Sequence, residues 1–195
     1  LAKKLKLNPL LVHFDNGWNS NEAISNINKI VEFSNFDYMT YVIDWKEFKS
    51  LQRSFIKASV IDIELLTDHA IFASIFKIAK ENKIKSILSG TNYLSEHGIP
   101  KTWTWNKLDL RNIKDIHSNF ENTSINSFPK TSTFKWFLML QFGIGGSFEE
   151  PLNIINYDKE KAKEELKKSF DWEDYGGKHF ESVFTKFYQS YILPQ

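Results

Sequence analysis

The stretch Leu10-Leu11-Val12-His13-Phe14-Asp15-Asn16-Gly17-Trp18 decides how the rest of the chain is read. A short run rich in branched and aromatic residues stops at Asp-Asn-Gly, and a helical pattern starts directly behind it. An apolar strand that ends in a polar turn marks the carboxyl edge of a parallel α/β sheet, where such sheets bind ligands. The same device returns at Ser86-Ile87-Leu88-Ser89-Gly90-Thr91-Asn92, with helical patterns between. Taken singly, each is only a turn, because Asp, Asn, Gly and Ser all suit that geometry. Two of them at strand ends shift the balance towards a ligand site.

Working outward, Asn19 and Glu22 have the spacing of a capping box, and Ile24, Ile27, Ile30 and Val31 repeat at helical period. Residues 36–43 read as the next strand. Asp44 with Glu47 opens a helix whose apolar face is Phe48, Leu51 and Phe55. Thr67-Asp68 opens another, carrying Ile71, Phe72, Ile75, Phe76 and Ala79, and residues 84–88 follow as a strand. Strands alternating with helices predict right-handed crossovers and a mainly parallel sheet flanked by helices. Beyond Asn92 the pattern changes. Residues 93–105 form a polar and aromatic loop, and Leu110, Ile113, Ile116 and Phe120 make a helix. Residues 134–140 are apolar on nearly every side and read as a buried helix. Asp158 starts a charged helix, and Gly176-Gly177 breaks the chain before a last helix faced by Phe180, Val183, Phe184, Phe187, Tyr188 and Tyr191. The expected organisation is an α/β core over 1–105 and a C-terminal helical lobe over 106–195.

The net charge of +1 supplies no field to draw the chain to nucleic acid or an acidic membrane. The 42% apolar content supports a real core. Without cysteine there is no disulfide and no thiolate metal site. No apolar run has spanning length, so a cytoplasmic protein is expected. The fragment Leu1-Ala2-Lys3-Lys4-Leu5 reads as the middle of an amphipathic helix, which leads us to expect a segment upstream.

Other candidates weigh less. Asp68-His69 stands at a predicted helix start, where Asp68 as a cap and His69 as an exposed neighbour are the plain readings and an acid/base or substrate-orienting pair the sharper one. Lys178 and Glu181 have ion-pair spacing. Residues 143–147, Gly-Ile-Gly-Gly-Ser, lack the Lys-Ser/Thr of a phosphate loop and suit a helix terminus with a connector. Trp103 and Trp105 suit a base, a sugar or the core equally. His97 and His117 have no spacing partner for a metal.

The runs at 7–18 (Leu-Asn-Pro-Leu-Leu-Val-His-Phe-Asp-Asn-Gly-Trp), 67–70 (Thr-Asp-His-Ala), 87–92 (Ile-Leu-Ser-Gly-Thr-Asn) and 174–182 (Asp-Tyr-Gly-Gly-Lys-His-Phe-Glu-Ser) resemble, in order, those of the N-acetyl sugar amidotransferases. These are PP-loop ATP pyrophosphatases of lipopolysaccharide and nonulosonic acid biosynthesis. The resemblance covers essentially the whole chain and implies a Rossmann-type fold like that of the adenine nucleotide alpha-hydrolases. It also implies a reaction. ATP adenylates the acetamido oxygen with release of pyrophosphate, and ammonia then displaces AMP to leave an acetamidino group. Mg²⁺ neutralises the phosphates, and glutaminase and cyclase-like subunits supply the ammonia. On this resemblance Phe14, Asp15 and Asn16 fall on the adenosine side, and Ser89, Gly90, Thr91 and Asn92 on the second nucleotide-facing turn. Asp68 and His69 face the reacting centre; Lys178, His179 and Glu181 stabilise charge or bind the sugar. No residue is expected to bind metal directly.

The chain departs from the family in one defining feature: the Ser-Gly-Gly-x-Asp-Ser loop is not among these residues, and the resemblance puts it just ahead of Leu1. We therefore expect a fragment, inactive alone as an ATP pyrophosphatase. The alternatives are a PP-loop tRNA-modifying enzyme, disfavoured by the low charge and the lack of a basic aromatic stripe, and a non-catalytic nucleotide-binding or scaffold module.

Overall fold

The structure is a computed structural model, and it describes residues 2–93, 104–143 and 146–193. The described residues form a mixed α/β chain with two short parallel strand pairs and seven α-helices. Contacts group them into two compact units, Leu1–Val42 with Tyr157–Gln195, and Ile43–Asn156. The grouping differs from the division expected near residue 105. The reason lies in the late segment, which bonds back to residues 18–20, just past the first strand and its turn, and to Asn26.

In the first unit, β1 (Leu11–Asp15) pairs in parallel with β2 (Tyr38–Val42), joined by α1 (Asn21–Ser34). The register sets His13 opposite Thr40 and Phe14 opposite Tyr41. Alternation then puts Phe14 and Tyr41 on one face, where their rings stack at 5.8 Å. On the other face the Thr40 hydroxyl donates to Tyr38 Oη at 2.8 Å, and Tyr38 Oη bonds His13 Nδ1 at 3.3 Å. The cap of α1 is Ser20, whose hydroxyl accepts from Ala23 N, and not Asn19. Asn19 is taken by Asp15, donating to its Oδ1 at 2.9 Å. The apolar stripe expected on α1 is also displaced. Ala23 and Asn26 are its buried residues, while Ile24 is 47% exposed. The unit is completed by α6 (Lys159–Phe170), capped by Asp158, and α7 (Val183–Phe187), which runs into a π-helical turn at Tyr188–Ile192.

The second unit holds the larger core. Asp44 caps α2 (Trp45–Lys57) by accepting from Glu47 N, and Phe48, Leu51 and Phe55 are each 0% exposed, as their spacing predicts. Burying each of them stabilises by about 2–3 kcal/mol. Helix α3 (Leu65–Glu81) starts earlier than expected. Its cap position is Glu64, so Asp68 lies inside the first turn, and Leu65 and Leu66 carry the start into the core. Helix α4 (Leu110–Phe120) is capped by Asp109 and buries Leu110, Ile113 and His117.

Two features correct the expectation of a purely helical later part. Strand β3 (Ser86–Leu88) pairs in parallel with β4 (Ser147–Glu149), so a strand lies beyond residue 106. Gly146 makes the pairing possible. Its φ is +92°, and a Cβ there would come 3.0 Å from the backbone carbonyl of Lys85. Gly143, with φ +60°, ends the preceding helix as expected. That helix, α5 (Thr133–Phe142), is not buried all round. Trp136 and Met139 pack with Phe76 in an aromatic cluster, but Phe134, Phe137 and Phe142 are 71%, 60% and 68% exposed. No helix among the described residues is long and apolar enough to cross a membrane.

Candidate functional site

The first unit builds its site from both ends of the chain. At the end of β1, Asp15 Oδ1 accepts from Gly17 N at 2.8 Å and Asn16 Oδ1 from Trp18 N at 3.1 Å, closing the turn on itself. The late segment then docks on that turn. Asn19 and Ser182 form an antiparallel bridge, Ser20 N donates to Glu181 O at 2.8 Å, and Val183 N donates to Trp18 O at 2.8 Å. The Trp18 ring stacks on Phe184 at 5.2 Å. Phe14, Asp15 and Asn16 thus share a unit with Lys178, His179 and Glu181, joined through residues 18–20 and 181–183.

A second clamp comes from α1. Asn26 is 1% exposed, although it is polar and lies in a helix interior. Its amide donates to Glu173 O at 2.8 Å and accepts from Glu173 N at 2.9 Å, imitating a strand pair across 147 positions. Lys29 adds ion pairs to Asp171 and Glu173 at 3.2 and 2.9 Å. Together these hold the segment that leads into Asp174 and the glycine pair.

A cavity of about 400 Å³ opens beside the docked segment, lined by Ser20, Glu22, Asp174, Tyr175, Phe180, Val183 and Lys186. Glu22 sits below the usual carboxylate range because its own backbone N–H, the Ser20 hydroxyl and the nearby Lys186 favour the anion. Asp174 is held low by the Gly176 N–H and by Lys163, whose ammonium lies 3.0 Å away. The Lys186 ammonium stands 5.5 Å over the Phe180 ring. Nearby, His179 adopts φ +62°, a conformation that costs a non-glycine residue energy, and its Nδ1 meets Glu181 Oε1 at 3.4 Å. Burial pushes the Glu181 carboxyl up, but the His179 contact and its own backbone N–H outweigh that and leave it low. Lys178 is exposed.

The second unit contains the other expected site residues. His69 is fully buried, contrary to the exposed position expected at a helix start. Its Nε2 accepts from Thr131 N at 3.3 Å, so Nδ1 carries the proton and donates to Lys107 O at 2.8 Å. With both ring nitrogens engaged, His69 braces α3 against two loops. Burial holds its pKa below the ordinary value. Asp68 pairs with Lys107 at 3.0 Å, and Lys107 also reaches Asp62 at 2.6 Å. Burial alone would lower Lys107, yet the two carboxylates raise it above its usual range, so it stays an ammonium. In the 89–92 turn, Thr91 donates to Glu150 Oε1 at 2.8 Å, and the buried Asn92 donates to Leu152 O at 3.0 Å. Ser89 accepts from Thr91 N, and Gly90 has open space where a Cβ would be. His117 donates from Nε2 to Thr123 O at 2.8 Å, and Trp105 donates to Asp62 and Asp109. His97 and Trp103 lie outside the described residues.

Sequence reasoning missed Asn26, Lys29, Lys186 and the cavity role of Ser20, Glu22, Asp174, Tyr175 and Phe180. The available signal was Asn26, a polar residue in an otherwise apolar helix stripe. Of the groups the resemblance implies, the cavity fits neither ATP phosphates nor Mg²⁺. Its carboxylates are offset by Lys163 and Lys186, which leaves no surplus positive charge to hold phosphate, and no group of three or more His, Asp or Glu among the described residues could hold a metal ion. Comparison of the chain with family models, curated proteins and solved structures found no match.

Proposed function

We propose that this chain is part of an ATP-dependent amidotransferase that converts a sugar N-acetyl group to an acetamidino group in surface-polysaccharide biosynthesis. Its fold is then a Rossmann-type parallel sheet with helices, working in the cytoplasm with glutaminase and cyclase-like subunits that feed it ammonia. One observation carries the reading beyond the motif resemblance: the 174–182 run docks by backbone bonds on the turn that ends β1. Motif segments far apart in sequence meeting at one strand end are what a composite substrate site requires. The phosphate-gripping role belongs, in this reading, to the Ser-Gly-Gly-x-Asp-Ser loop. The roles of these residues are to hold the sugar and shape the site around its acetamido group.

The first test is to read the coding region ahead of Leu1, where Ser-Gly-Gly-x-Asp-Ser is expected. An unrelated sequence there removes the basis for ATP use. The second test supplies the protein carrying that loop with ATP, Mg²⁺, an acetamido sugar and ammonia. AMP and pyrophosphate should form in equal amounts with the amidine. AMP formed without amidine, or only when tRNA is added, overturns the assignment.

A further inference from the structure

The cavity of the first unit has a lining to which the resemblance gives no role, and its chemistry narrows the occupant. Its two carboxylates are matched by two ammonium groups: Asp174 pairs with Lys163 at 3.0 Å, and Lys186 lies near enough to Glu22 to favour its anion. The charges balance, so neither a phosphate nor an ammonium ion is drawn in. An ionised carboxylate presents about four acceptor sites. Asp174 spends one on Gly176 N and one on Lys163, leaving acceptors for hydroxyl groups.

The remaining wall includes the rings of Tyr175 and Phe180 and the side chain of Val183. Tyr175 packs against Trp172 in a T-shaped pair, with centroids 5.4 Å apart at 83°. Phe180 lies so close to Gly177 that a Cβ there would fall 2.6 Å from the ring. The glycine therefore sets where the aromatic wall stands. At about 400 Å³ the space is within the range of small-molecule clefts. Charge-balanced acceptors beside ring faces suit a molecule that carries hydroxyl donors on its rim and C–H groups on its face.

We propose that this cavity holds the ring of a neutral sugar, its hydroxyls donating to Glu22 and Asp174 and its C–H face lying on Tyr175, with Phe180, under the Lys186 ammonium, closing the wall beside it. Lys186 is left to donate to a ring or carbonyl oxygen. The sugar class rests on the lining; the choice of an acetamido sugar rests on the amidotransferase reading.

The test is an NMR titration of the chain with N-acetylglucosamine, N-acetylgalactosamine and N-acetylmannosamine. At least one should give saturable shifts in residues 20–23 and 174–186. Glu22→Gln and Asp174→Asn should each weaken binding by about tenfold or more, since a hydrogen bond to a charged group contributes that much. Glu165→Gln, on the exposed face of α6, should leave it unchanged. If either cavity variant loses its native spectrum, Tyr175→Leu takes its place and should also weaken binding. No shift with any of the sugars, or equal shifts with tetramethylammonium or inorganic phosphate, overturns the proposal. Sugar binding without amidine formation by the loop-bearing protein sinks the enzyme reading and leaves the cavity site standing. Amidine formation indifferent to Glu22→Gln and Asp174→Asn does the reverse.

Discussion

His69 shows how one residue's surroundings decide its part. A histidine that accepts one backbone bond, donates another and meets no water is locked as the neutral Nδ1–H tautomer. Adding a proton would set Nε2–H against Thr131 N–H. The sign of the pH effect follows: the folded pKa is depressed, so the unfolded chain takes up the proton first. The stabilisation is fully present above the ordinary value of 6.5 and is lost progressively below it, as pH falls through the lower folded pKa. Urea midpoints between about pH 8 and pH 5 should decline on the acid side, and His69→Gln should flatten that part of the decline. Independently, His69→Ala leaves Thr131 N and Lys107 O without this partner and opens a cavity, at a cost of about 2–4 kcal/mol. An acid/base catalyst would instead lose activity with little change in midpoint. Lys107 is held as an ammonium between Asp62 and Asp68 and ties the first turn of α3 to its own loop.

At the scale of elements, α1 and α5 show where sequence reading succeeds and where it stops. Some caps and short-period faces were readable: Asp44 and Asp158 start their helices, and Phe48, Leu51 and Phe55 fill the core, because such signals act within a few residues, whereas Ser20 and not Asn19 caps α1 and α3 starts ahead of Thr67. The buried side of α1 was not, since Asn26 is chosen by the backbone of Glu173, which no local window contains. Strand β4 escaped for the same reason: three residues are too few for a pattern, and Gly146 is explained only by Lys85. Asn26→Asp replaces the donor to Glu173 O with a repelling oxygen and should destabilise by about 2–3 kcal/mol in urea melts. A loss under 0.5 kcal/mol would deny the clamp. Apolar composition on α5 likewise hid two unlike faces. Phe134→Ser and Phe137→Ser should each change stability by no more than about 0.5 kcal/mol, while Trp136→Ala should cost about 3–5 kcal/mol. Trp136→Phe should fall well below that cost, because its indole N–H is buried with no partner among the described residues.

For the molecule as a whole, the informative fact is that the first compact unit is discontinuous, made from Leu1–Val42 and Tyr157–Gln195. A lone pair of parallel strands is a weak structure, because parallel sheets are normally covered on both faces. Here β1 and its turn are held by contacts with residues from the other end of the chain: the Trp18–Phe184 stack, the backbone bonds of Trp18, Ser20, Glu181 and Val183, and the Asn26 clamp. The candidate cavity is built from the same two pieces, with Ser20 and Glu22 from one and Asp174, Tyr175, Phe180 and Lys186 from the other. Occupancy of the cavity and cohesion of this unit should therefore be coupled. Trp18→Ala removes the stack at the junction and should lower amide-exchange protection in residues 11–34 and 173–188 together, by similar factors, as one cooperative opening. A ligand in the cavity should raise protection in both stretches by the same coupling. Loss confined to the residues beside Trp18 would show that the late segment holds without the turn, and the idea of a shared site across the sequence would fall with it.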